Sequence, residues 1–97
     1  MSEQDLSGAS IVESETIVVG GHGEVVHDDI TAVVGADGSP LAVDELTTVD
    51  EADGSSAFEE TVSVADADGV LHVVDEKVGY RDADGNVTVV ETVVAGE

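Results

Sequence analysis

Two short stretches, Asp66-Ala67-Asp68-Gly69 and Asp82-Ala83-Asp84-Gly85, set carboxylates at alternate positions before a glycine. Asp-rich calcium loops have this form. Calcium takes roughly six to eight oxygens, and an EF-hand loop supplies acids at its first, third, fifth and twelfth positions around a glycine at the sixth. On that template Asp66, Asp68, Gly69 and Asp75 fit, and one unit later Asp82, Asp84, Gly85 and Glu91 fit. The first position is Val64 in one stretch and Tyr80 in the other, so the leading ligand is missing twice. These six acids are the calcium candidates. The competing reading is that the aspartates form turns and keep the chain soluble, and on that reading neither a metal nor another cofactor is expected.

The remaining chemistry is sparse. His22, His27 and His72 have no convergent spacing of the kind a zinc site uses, so turn and surface positions are expected for them. There is no cysteine, which excludes disulfides, thiolate metal sites and cysteine nucleophiles. Paired carboxylates can cleave glycosides when held in a cleft. With 23 acidic residues some pair meets any distance, so the pattern selects nothing. No Gly-x-Ser-x-Gly elbow or nucleotide loop is present. A valine core in a chain of 97 residues leaves little room for a pocket, and no enzymatic activity is expected.

Charge limits the partners. Two basic side chains against 23 acids give a net charge of −21. Direct binding to nucleic acid or to an anionic membrane needs Lys and Arg, and is not expected. A partner would be a second copy or another protein, a basic one included. The first residues are acidic, unlike a signal peptide, and no run is apolar enough to span a bilayer. The expected address is the cytoplasm or a particle assembled there.

Such charge often means disorder, but composition opposes that. Hydrophobic residues make up 41%, and 20 of them are valine. Valine is stiff at χ1 and favours strands. The elements that would carry the acids are therefore strands, and a period sets them out. Gly23, Gly38, Gly54, Gly69 and Gly85 follow one another at spacings of 15, 16, 15 and 16. Just before them stand His22, Asp37, Asp53, Asp68 and Asp84, preceded by Gly21, Ala36, Ala52, Ala67 and Ala83. Val18, Val33, Val49, Val64 and Tyr80 lie five residues ahead of each glycine, and Asp29, Asp44, Glu60, Asp75 and Glu91 six residues after it. This is a five-copy repeat.

Ala-Asp-Gly suits a type I turn closed by a left-handed residue, the glycine. Five such hairpins join six strands, over about 11–20, 24–34, 39–50, 55–65, 70–81 and 86–95. Tyr80-Arg81-Asp82-Ala83-Asp84-Gly85-Asn86-Val87 resembles one hairpin of the Rhs/YD-repeat proteins; only one copy has the tyrosine, and no function is carried over. Acids recur at mid-strand as Asp28-Asp29, Asp44-Glu45, Glu59-Glu60 and Asp75-Glu76. Neighbours in a strand face opposite ways, so a bend or bulge is expected there, with the acids on its outside.

The fold class expected is an all-β antiparallel meander of five hairpin repeats, curled or two-layered. The alternative is a β-solenoid, whose stacked acid columns would repel. Residues 1–10 are expected as a flexible acidic arm and 11–97 as a single domain. The column valines Val18, Val33, Val49 and Val64, with Tyr80, are expected to point inward. Function is expected to be structural: self-assembly, or docking in a larger particle such as a fibre or phage-type appendage. The valine-rich Val87–Val94 stretch would form an edge strand, with Glu91 guarding it against aggregation. Three alternatives account for the charge: a nucleic-acid mimic that occupies a basic protein, a calcium-binding repeat, and a surface suited to a salt-rich cytoplasm.

Overall fold

The computed structural model describes residues 8–94. Six strands follow in chain order: β1 Ser10–Val19, β2 Val25–Val34, β3 Pro40–Asp50, β4 Ser56–Ala65, β5 Leu71–Arg81 and β6 Val87–Val93. They form one antiparallel sheet in the order β1-β2-β3-β4-β5-β6, which is a meander and not a solenoid. The sheet does not close, and among the described residues β1 and β6 are its free edges. The acidic arm expected over residues 1–10 lies largely outside the described residues, and Ser10 already begins β1.

All five turns have the expected chemistry. In each, the glycine N–H donates to the carbonyl three residues back, as in Gly38 to Gly35 at 2.9 Å and Gly69 to Asp66 at 3.0 Å. The residue that starts the turn then bonds the carbonyl four residues on, as Glu51 does to Ser55 at 2.8 Å. The five glycines have φ between 84° and 93°, a region that costs an L side chain dearly.

The alternation of 15 and 16 has a structural cause. Val33 pairs with Ala42 and Val34 with Pro40, which leaves Leu41 unpaired. Val62 pairs with Asp75 and Ser63 with Val73, which leaves Val74 unpaired. Each 16-residue unit thus holds one extra residue, a β-bulge, and its strand is 11 residues long where β1, β2 and β4 have 10. Directly paired residues share a face. Following the pairs across the sheet puts Asp29, Asp44, Glu60, Asp75 and Glu91 all on one face, here the front. Asp28, Glu45, Glu59 and Glu76 are on the back.

Two expectations need correction. The strands run unbroken through their acid pairs, and only the bulge at Val74 adjoins one. A bend was expected because a buried sheet could not hold acids on both faces. This sheet is open on both faces, so both acids of a pair reach water. The column valines, for the same reason, have no interior to point into. Val18, Val49 and Tyr80 share the back face and Val33 and Val64 the front. Val18 is 55%, Val64 42% and Tyr80 52% exposed.

No hydrophobic side chain among the described residues is fully buried. The molecule measures 51 × 27 × 17 Å, with a radius of gyration of 16.5 Å. A compact domain of this length would have about 12.5 Å. Strands β2, β3 and β4 are mostly half-buried and β5 only in its middle, whereas β1 and β6 are exposed along their whole length. Apolar residues gather toward the strand ends, in rows such as Val18–Val26–Val49–Ala57 on the back. Phe58 on β4 lies across Gly79 of β5, where any Cβ would collide with the ring.

Candidate functional site

The middle of the sheet carries an acidic belt on each face, and the register builds it. On the front, Glu15 is directly opposite Asp29, and from there one acid per strand steps diagonally through Asp44 and Glu60 to Asp75. On the back the zigzag runs Asp28, Glu45, Glu59, Glu76, interleaved with Thr47 and Thr61. Neighbouring strands are about 4.8 Å apart, so adjoining carboxylates compete for protons. The Glu45 carboxyl is held above the ordinary range, first by its hydrogen bonding with Asp28, with burial and the negative charge of Asp28 and Glu59 adding to the effect. Glu60 is raised first by its hydrogen bond to Asp44, against a lowering pull from Lys77. Glu76 is raised by its hydrogen bond to Glu59.

Three front-face carboxylates, Asp29, Asp44 and Asp75, each have one Oδ1 out of reach of water with no hydrogen-bond partner. A charged oxygen placed so is costly, and a bound cation would offset that cost. Lys77 stands directly opposite both Glu60 and Glu91 and is the one lysine of the chain. At the β1 edge, His27 Nε2 lies 2.6 Å from Glu15 Oε2. One donor atom from each of Glu15, His27 and Asp29 falls within 4.8 Å of the others, a nitrogen and two oxygens that could contact a divalent metal. The back-face acids Glu45 and Glu59 and the threonines Thr47 and Thr61 line a shallow, open depression.

The calcium candidates are not assembled into one place. Asp66 and Asp68 belong to the β4–β5 turn, Asp82 and Asp84 to the β5–β6 turn at the opposite end, and Asp75 and Glu91 to mid-strand positions. The turn acids already have partners. Asp66 Oδ1 accepts the N–H of Asp68 at 2.8 Å and of Val70 at 3.0 Å, and its Oδ2 lies 2.6 Å from His72 Nε2. Asp82 Oδ1 accepts the N–H of Asp84 and of Asn86, and its Oδ2 accepts from the Asn86 side chain at 3.0 Å. Asp37 and Asp53 hold Ser39 and Ser55 by N–H and hydroxyl together. These bonds favour the charged form. They hold Asp66 (His72 first, then the turn amides) and Asp82 (Asn86 first) below the ordinary range, and Asp37 and Asp53 likewise through their serines.

The Glu15–His27–Asp29 set was legible in principle. Positions summing to 44 pair across the first hairpin, as Ile17 with His27 and Glu15 with Asp29 do. A glycine at 23 fixes that sum once the turn type is chosen.

No family model matches the chain, and neither a curated protein nor a solved structure does. No helix among the described residues is long and apolar enough to cross a membrane.

Proposed function

We propose that this chain is a non-enzymatic structural module, a repeat β-sheet that acts by self-assembly or by docking into a larger particle. The observation that supports this reading is the open, single sheet with both edge strands exposed. Free edges carry unpaired N–H and C=O groups that another strand can satisfy. The accessible surface of 6647 Å² points the same way. A folded monomer of this mass exposes roughly 5,200 Å², and the excess is larger than the roughly 800 Å² that each partner buries in an ordinary protein–protein interface. Size-exclusion chromatography with light scattering, run over protein concentration at low and high salt, tests the reading. Mass that grows with concentration supports it. A strict monomer throughout, together with no recovered partner, overturns it.

The two acidic zigzags favour a second reading, a nucleic-acid mimic that occupies a basic protein surface. Association would then be fast and salt-sensitive. A low-salt pull-down that recovers no basic protein would count against it.

A further inference from the structure

We propose that the free edge of β1 takes β6 of a second copy, head to tail, so that copies add into an open-ended ribbon. This rests on the self-assembly reading above and specifies its geometry. The chain itself supplies the first argument. Its strands are copies of one unit that already pair side by side five times within the sheet. Strand β6 differs from β2 and β4 in lacking its second neighbour, and β1 from β3 and β5 likewise.

Parity supplies the second argument. With six strands, β1, β3 and β5 run one way and β2, β4 and β6 the other. A second copy displaced across the sheet, without being turned over, brings its β6 antiparallel to β1. Turns stay at their own ends and front stays with front. Pairing β6 with β6, or β1 with β1, antiparallel requires a copy rotated in the plane of the sheet, which keeps front with front but exchanges the two turn ends.

The third argument is local. Gly8, 15 residues before Gly23, has φ 82°, the conformation of the five hairpin glycines. A Cβ on Gly8 would meet the Cβ of Ala36 at 2.9 Å, just as one on Gly23 would meet that of Ala52 at 3.3 Å. Ala36 and Ala52 are the same position of successive turns. The backbone entering β1 therefore has the conformation of a hairpin glycine and approaches the next turn as Gly23 does, whereas Gly38, Gly54, Gly69 and Gly85 have open space there. The repeat lattice continues to the outer side of β1, and a strand laid there meets the environment of an interior strand. Such a heterologous contact does not close, so growth has no fixed size. Glu13, Glu15 and Glu91 lie near mid-strand on the two edges, so the contact forms best where salt screens them.

The absence of cysteine makes the test direct. Thr16→Cys places a thiol on β1 and Val90→Cys one on β6, both at exposed positions and both on the back face. The two variants are mixed at high salt and treated with a short bis-maleimide. Cross-linking between Thr16→Cys and Val90→Cys chains in excess of either homotypic product is the expected result. Homotypic products in equal or greater amount, with mass still growing in light scattering, overturn the head-to-tail geometry and leave self-assembly standing. A monomer under the same conditions, with neither product, overturns both.

Discussion

Each turn glycine is irreplaceable for a backbone reason. Gly69 has open space around its missing Cβ, so sterics beyond the residue itself do not forbid a side chain. Its φ of 84° does. Gly69→Val should cost about 1–3 kcal/mol, the usual penalty for a strained backbone. Thermal melting should show it as a drop of roughly 4–8 °C per kcal/mol in a domain of this size. An unchanged Tm would remove the turn from the account. The turn aspartates and strand glutamates respond oppositely to acid. Asp37, Asp53, Asp66 and Asp82 have depressed values in the folded chain. Their contribution is present above the ordinary Asp value of about 3.9 and is lost as pH falls through the folded one. Glu45, Glu60 and Glu76 have raised values, so their ionised forms weigh against the fold at neutral pH. That penalty is relieved as pH falls toward the ordinary Glu value of about 4.3. Stability should therefore rise on acidification from pH 7 and then fall below about pH 4. Urea unfolding across that range checks it, and a monotonic decline from neutrality would contradict it.

At the scale of strands, the glycine period made the order, the turns and the strand limits readable to within a residue or two. The reason is that the hairpin turn depends on local φ alone, and only glycine satisfies it cheaply. The bulges were readable only in part. The 15/16 alternation shows that an extra residue exists; which residue of the longer strand is left unpaired depends on cross-strand packing, and the pairing assigns it to Leu41 and Val74. The face of each valine could not be read at all without deciding whether the sheet has an inside. For the candidate site, the acid column was visible as a sequence spacing, but its continuity on one face follows from the bulges. A deletion compares the two kinds of position. Removing Val74 leaves Asp75 opposite Val62 and Val73 opposite Ser63, at the cost of the bond from Val94 N–H to the Val74 carbonyl. Removing Thr48, which pairs with both His27 and Phe58, moves one end of β3 to the wrong face. The Val74 deletion should lower Tm clearly less than the Thr48 deletion, and equal losses would argue against the bulge as the inserted residue.

For the molecule as a whole, the decisive fact is a sheet with no buried apolar core among the described residues, in a chain carrying a charge of −21. Apolar contact between neighbouring side chains, backbone pairing and turn chemistry must together exceed the repulsion of two acidic zigzags. Net stability of a domain is only about 5–15 kcal/mol, so a change in screening is a large lever here. Acids on adjoining strands stand diagonally, with backbones about 7–8 Å apart, and the carboxyls of Glu45 and Asp28, Glu60 and Asp44, and Glu76 and Glu59 reach one another. Salt at about 0.1 M screens over about 10 Å and leaves that repulsion nearly intact, whereas about 1 M screens over about 3 Å and removes most of it. The Tm should climb steeply between those concentrations. Screening and site binding are then separated by comparing sodium and calcium chlorides at equal ionic strength. Equal Tm curves mean that the belts need only counterions, as expected if the turn aspartates are spent on their own amides. A calcium curve well above the sodium one, saturating at low millimolar concentration, would instead place a coordinated ion among the front-face oxygens of Asp29, Asp44 and Asp75 that have no partner.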